Sequence, residues 1–167
     1  MTQLFAQPYN IDATGFYFET LEEFTAKSKD LKCRFGEPVE EFEIQFIDGD
    51  GIDCDLAEAI GLYQSNIGQF FDAVEAWDTQ EKTTVILAVG ACGYRFDATT
   101  QPSDFDVEIH HVETLRALAE QFVDEGLFGD IPEHLTNYID LDAIARDLAV
   151  EYAETEIAGK RMIYRAA

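Results

Sequence analysis

Residues 48–55 read DGDGIDCD, four aspartates in eight residues, which is the kind of composition a calcium loop uses. An EF-hand needs a sharp-turn glycine at position 6 and a bidentate glutamate at position 12. Counted from Asp48, those positions hold Asp53 and Ala59, so the segment reads instead as an acidic loop leading into a helix. Asp55 and Glu58 are placed to cap that helix. His110-His111 with Glu113 resembles half a metal site, but neighbouring residues on a strand point to opposite faces and cannot ligate one ion together. His134 is the one other histidine. Serine occurs only at Ser28, Ser65 and Ser103, without a GxSxG elbow, and neither GxxxxGK[ST] nor GxGxxG is present. Cys33, Cys54 and Cys92 are odd in number and widely spaced, which reads as free thiols in a reducing cytosol. The Asp140/Asp142 pair suits acid–base work, yet chance alone makes such pairs among 34 Asp+Glu, and Asp140 is placed to cap a helix. The chemistry-bearing residues therefore give no support to an enzyme, and they match neither the calcium-loop nor the zinc-site spacing.

The elements that carry these residues are readable from periodicity. Leu4–Tyr9 and Gly15–Phe18 are short aromatic strands, and Thr20-Leu-Glu-Glu23 is a capping box opening a helix to about Lys32. Glu40–Ile47 alternates Phe42, Ile44 and Phe46 with acidic and amide residues, as a half-buried strand does. From Asp55 to Trp77, Leu56, Ile60, Tyr63, Ile67, Phe70, Phe71, Val74 and Trp77 fall within roughly 120° of helical arc. Asp55, Glu58, Asp72 and Glu75 lie opposite, so one continuous or gently bent helix is expected, its phase surviving Gly61 and Gly68. Thr83–Val89 fits a buried strand by β-branching or a helix by continuity. Asp104, Asp106 and Glu108 alternate with Phe105, Val107 and Ile109, predicting a strand whose carboxylates recur every ~6.7 Å. Helices are expected at Glu113–Glu125, Pro132–Tyr138 and Asp140–Val150, then a hairpin of Glu151–Glu156 and Lys160–Arg165 turning at Ala158-Gly159.

Charge is the feature that sets this chain apart. Thirty-four Asp+Glu face 11 Lys+Arg for a net charge of −23, yet 47% of residues are hydrophobic and 13% aromatic. Disorder would require those apolar residues to be scarce, so the chain folds. Direct binding to DNA, RNA or an anionic membrane is excluded, because neutralising phosphates takes Lys and Arg. Cut at residues 60 and 120, the chain carries about −10, −7 and −6, so the charge is not an acidic tail. Val85–Tyr94, the longest apolar stretch, is short of the ~20 residues of a membrane span. MTQLFAQPYNIDATG lacks a basic region ahead of an apolar core, so no signal peptide is expected. At one charge per ~1.7 Å, B-DNA carries −23 over about 39 Å, close to the ~40 Å diameter of a compact chain this long. A DNA-like surface facing a basic, DNA-binding groove is the physical hypothesis. The competing reading is an acidic binding module for divalent cations or for another basic protein.

Gly129–Ala149, GDIPEHLTNYIDLDAIARDLA, closely resembles the C-terminal signature of the ArdA antirestriction proteins. Asp130, Pro132, Leu135, Tyr138, Asp140, Ala143, Arg146, Asp147 and Leu148 fall on that pattern. Tyr9-Asn10, Gly15–Phe18 and Glu40–Gly51 are similar to the family's early strands and acidic segment. The likeness departs in two places: the early segment is shorter, with Phe16 or Tyr17 where the family has tryptophan, and EKTTVILAVGACGYRF lacks an acidic aromatic pattern. The resemblance implies an elongated α+β chain of three small subdomains. Here they would be an α+β N-terminal one over 1–54, a mainly helical centre over 55–102, and an α+β C-terminal one over 103–167. It further implies a cytoplasmic bacterial homodimer without catalytic site or cofactor. Such a protein mimics bent B-DNA in the DNA-binding groove of type I restriction–modification enzymes, chiefly the modification core.

The phosphate-mimicking acids expected on this reading are Asp48, Asp50, Asp53, Asp55, Glu58, Asp72 and Glu75 in the loop and helix. Asp104, Asp106 and Glu108 follow in the strand, and Asp140, Asp142 and Asp147 in the signature. Pro132, Leu135, Tyr138, Ala143, Arg146 and Leu148 read as structural: core and helix contacts, with Arg146 four residues from Asp142 to pair with it.

Overall fold

The alternation LFAQP puts Leu4, Ala6 and Pro8 on one face of β1 (Gln3–Pro8), and all three are buried. β1 is the centre of an antiparallel sheet in the computed structural model, which describes residues 1–166. β2 (Phe16–Phe18) lies on one side of it and β3 (Phe42–Asp48) on the other. Between them runs α1 (Leu21–Asp30), where the Thr20 side chain accepts the Glu23 amide as the capping box predicts. α2 (Gly51–Ala59), α3 (Ile67–Ala76) and α4 (Thr79–Val85) follow, α4 continuing into a π-helical turn at Ile86–Ala91. β4 (Val107–His110), β5 (Ala153–Ile157) and β6 (Lys160–Ala166) form a second antiparallel sheet of order β4-β6-β5. α5 (Leu115–Asp124) and α6 (Leu141–Leu148) belong with it. The fold is α+β. It gathers into two compact units, Met1–Phe105 and Asp106–Ala167.

Each unit has its own apolar centre. In the first, Leu4, Phe18, Leu56, Ile67, Phe70, Val85 and Leu87 are fully buried. Phe rings tie the sheet to the helices: Phe18–Phe24 at 5.1 Å and Phe24–Phe42 at 5.8 Å to α1, and Phe46–Phe70 at 6.5 Å to α3, between centroids. Such tilted and edge-on pairs add to the area they remove from water. In the second, Leu118, Phe122, Tyr152 and Ile163 are the cluster on which Val112, Leu115 and Leu148 pack. The hairpin turns at Ala158 and Gly159, both with positive φ (50° and 73°), as a tight turn joining antiparallel strands requires.

Two expectations are corrected and one open choice is settled. The helix expected from Asp55 to Trp77 is two helices, because Gly61 at φ +59° ends α2 in a Schellman motif. Its N–H reaches the Glu58 carbonyl at 3.0 Å and the Leu62 N–H reaches Ala57 at 2.9 Å. Asn66 then holds the reverse turn, accepting the Tyr63 amide at 2.8 Å and donating to the Gly61 carbonyl at 3.3 Å. The open choice at Thr83–Val89 resolves as helix. Asp78 and Glu81 bond each other's amides at 2.8 and 2.9 Å, and Thr83 and Thr84 return their hydroxyls to carbonyls four residues back. The strand expected from Asp104 begins only at Val107, because Pro102–Asp104 is a 3-10 turn in which Asp104 accepts the Gln101 amide at 2.8 Å.

α2 also starts earlier than expected, at Gly51 rather than Asp55, and this turns Asp53 inward. Asp53 then shares the buried face with Leu56, Ala57 and Ile60, at 3% exposure. Lys82 of α4 meets it at 2.7 Å and the Thr2 hydroxyl donates at 3.1 Å. Breaking such a pair is costlier than replacing it, since the remaining charge stays buried without a partner. Lys82→Met should cost about 3–5 kcal/mol in urea unfolding. Asp53→Leu combined with Lys82→Met should recover most of that loss; a double variant as unstable as the single would mean the pair itself, not the stranded charge, carries the stability.

Candidate functional site

The acids expected to face a partner are distributed over both units. The first holds 20 Asp+Glu against 6 Lys+Arg, and the second 14 against 5. Of the 34 carboxylates, 28 are exposed, five are half-buried and Asp53 alone is buried. The apolar faces of the helices and sheets explain this, because each element has its aromatic and aliphatic side chains to bury and its acids fall on the other side.

In the first unit, Asp48 and Asp50 flank Gly49 at the turn from β3 into α2, both exposed. Glu58 is exposed and Asp55 half-buried on α2. Asp72 and Glu75 are exposed on α3, beside a groove lined by Phe71 and Val74 of that helix and Leu21 of α1. The break at Gly61 separates Asp55 and Glu58 from Asp72 and Glu75, so they do not form a single helical stripe. Asp53 is withdrawn from the surface by Lys82, and Asp104 belongs to its 3-10 turn.

In the second unit, Asp106, Asp140, Asp142 and Asp147 are exposed and Glu108 is half-buried. Asp140 accepts the Ala143 amide at 2.9 Å as the cap of α6. Asp142 pairs with Arg116 of α5 at 2.7 Å, rather than with Arg146 as the helical spacing suggests. That cross-helix bond holds the Arg116 guanidinium above its ordinary pKa, the Asp142 charge adding to it.

Glu108 is the hub of an internal network. It stands opposite Arg165 across the β4–β6 ladder and takes a hydrogen bond from that guanidinium. His110 Nε2 lies 2.9 Å from one carboxylate oxygen, and the Tyr152 hydroxyl lies 3.3 Å from the same one. Arg165 also reaches Glu151 at 3.2 Å and sits 4.9 Å from the centre of the Tyr152 ring. Burial pushes the Glu108 carboxyl up, but hydrogen bonds from His110 and Arg165 and the Arg165 charge outweigh it and hold it below its ordinary value. Burial, then the Glu108 charge, pushes the Tyr152 hydroxyl up. Period-2 alternation marked Glu108 as a surface acid; the signal that assigns it inward is Arg165 in the closing strand, one of few bases near a hairpin.

The signature residues divide. Leu148 packs on the second core, and Ala143 is half-buried. Tyr138 is 83% exposed and Leu135 44%, so the expected core role is corrected for both. They lie on or beside the 3-10 segment Glu133–Tyr138, whose residues are all exposed, as are Pro132 before it and Arg146 on α6. Leu127 (58%), Phe128 (52%) and Val150 (84%) are exposed in the same unit, an apolar set that periodicity alone did not single out. Among the described residues, no group of three His, Cys, Asp or Glu side chains is placed to hold a metal ion, and no helix is long and apolar enough to cross a membrane.

The family model for antirestriction protein (ArdA) matches residues 11–159 of the 167. No curated protein matches the sequence.

The lowered Glu108 pKa has a consequence for acid stability. The carboxylate contributes fully above its unfolded pKa near 4.5, and that contribution is lost as pH falls through the lower folded value. Unfolding of the chain and of Glu108→Gln, compared from pH 6 downward, should give stabilities that differ most at the upper end and draw together as pH falls. A constant difference would mean the network does not depend on ionised Glu108.

Proposed function

The chain belongs to the ArdA family of antirestriction proteins, and from that membership we propose that it acts as a DNA mimic. It occupies the DNA-binding groove of type I restriction–modification enzymes, chiefly the modification core, with carboxylates standing where phosphates would. The observation that supports this reading best is the exposure of 28 of 34 carboxylates on well-formed helices, strands and turns of both units. Asp48, Asp50, Glu58, Asp72, Glu75, Asp104, Asp106, Asp140 and Asp147 are exposed members of that set. Asp142 is exposed but shares its charge with Arg116. Asp53 and Glu108 leave it, since each is satisfied internally.

Electrostatics explains both the affinity and its distribution. A groove lined with Lys and Arg has no preference for phosphorus over carbon; it selects negative charge at the right spacing. Each exposed pair is worth little, about 0.2–1 kcal/mol, so many must act together. Inhibition of this kind needs neither catalysis nor a cofactor, and it needs no nucleic acid bound to the inhibitor. A bacterial cytoplasm, where the target enzymes work, is its place of action. We also read the protein as a homodimer, in keeping with Leu127, Phe128, Leu135, Tyr138 and Val150, apolar residues exposed on the second unit.

Titration into a type I modification enzyme holding labelled duplex should displace the DNA at low salt and progressively less as salt rises. Neutralising one exposed acid, as in Asp72→Asn, should weaken displacement by at most about fivefold, whereas reversing Asp48, Asp50, Asp72, Glu75 and Asp147 together should abolish it. Failure to displace DNA at any salt would sink the reading. For the dimer, Tyr138→Ala should shift sedimentation toward the monomer; a native chain that sediments as a monomer at every concentration would remove that part alone.

A further inference from the structure

β3 is an edge strand, and only part of its outer edge is covered. The Tyr9 N–H bonds the Glu41 carbonyl, which fixes the ladder phase: residues 43 and 45 pair toward β1, while residues 42, 44 and 46 aim their backbone groups outward. Gln64 takes the place of a strand at the start of that edge. Its amide oxygen accepts the Phe42 N–H at 3.1 Å, and its nitrogen donates to the Glu40 carbonyl at 3.0 Å. Beyond it, Ile44 and Phe46 have no backbone partner on that side among the described residues.

Beside this open stretch runs a groove of about 270 Å³. Its walls are Ile44 and Phe46 of β3, Ala57 of α2 and Leu62 after it, with Cys54 and Glu58 at the rim. Unpaired edge groups next to an apolar channel are what β-augmentation uses: backbone bonds supply affinity, and alternate side chains fill the channel. Natural edges of this length are commonly blunted by lysine, proline or a bulge. The open stretch of β3 has neither lysine nor proline, and the one register irregularity of the strand comes just after it, between Phe46 and Asp48.

We propose that this edge is a docking site for an extended, basic polypeptide segment of a partner protein, which adds to the sheet as a fourth strand. The rim chooses the occupant. Inward residues of the added strand would meet Ile44, Phe46, Ala57 and Leu62, while alternate residues would lie beside exposed Glu43, with Glu58 at the margin. A sequence of small apolar residues alternating with Lys or Arg fits both faces. The β3 edge of a second copy does not, because it would set a strand bearing Glu43 and Asp48, with Glu41 just before it, directly against the same acids. This site is independent of carboxylates replacing phosphates, since it requires backbone pairing.

The test uses the full chain and the peptide acetyl-Lys-Val-Lys-Val-Lys-amide, with a control N-methylated at both valines. The control keeps charge and side chains but cannot donate to Ile44 and Phe46. In amide-resolved NMR titrations, the parent peptide should shift the Ile44 and Phe46 amides and slow their hydrogen exchange about tenfold at saturation. The methylated peptide should bind about tenfold more weakly or worse. Equal affinity for both peptides would show that only charge attracts them and would overturn the proposal. So would shifts spread over exposed acids with Ile44 and Phe46 unmoved, or no binding of the parent peptide at millimolar concentration.

Discussion

Mutual repulsion among 23 uncompensated negative charges is the constraint that the rest of the structure must satisfy. A chain so charged is stable only if apolar burial outweighs the work of assembling that charge in one place. The Phe-rich centre of the first unit and the Leu118–Phe122–Tyr152–Ile163 cluster of the second supply the burial. Acids also serve the backbone. Asp78 and Asp140 cap helices, and Glu22, Glu23, Glu81 and Asp142 sit in first turns, where the helix dipole favours negative charge. Lys27, Lys29, Lys82 and Arg146 take last-turn positions, where positive charge is favoured.

The few bases are placed where carboxylates most need them. Lys82 neutralises the one buried acid, and Arg165 serves Glu108 and Glu151 together. Arg116 joins α5 to α6 through Asp142. A base in any of these positions lowers the net charge a partner sees by one while fixing a core or a helix pair. The exposed acids are left largely to the solvent, which is the condition for any role they have in recognition.

Much of this was legible in the residues, for identifiable reasons. The strands of the first sheet, the Thr20 and Asp140 caps and the closing hairpin follow from local signals: alternation, a hydroxyl or carboxylate three residues ahead of the amide it accepts, and Ala158-Gly159 at the turn. The signature residues Asp130 to Leu148 point to the family from sequence alone, and the match over 11–159 bears that out. What failed depended on distant partners or on a single backbone angle. The phase of the apolar stripe runs through Gly61 unchanged, so periodicity cannot see that φ +59° stops the helix there. Asp53 looked like part of an acidic loop because its base, Lys82, lies 29 residues away. Glu108 looked like one of three equal acids because Arg165 is 57 residues distant. Tyr138 and Leu135 read as core because apolar residues usually are; nothing local marks an apolar residue left on the outside.

The spread of exposed carboxylates over both units also governs time. A long-range field depends on the summed charge and hardly at all on any one group, so it sets how often a cationic molecule arrives, and from how far away. Removing one acid from such a surface leaves the arrival rate nearly unchanged, while added salt slows arrival for the whole molecule. Residence, by contrast, is decided by close contacts. Speed of encounter and length of stay are therefore set by different atoms, and the two can drift apart in evolution without either being lost.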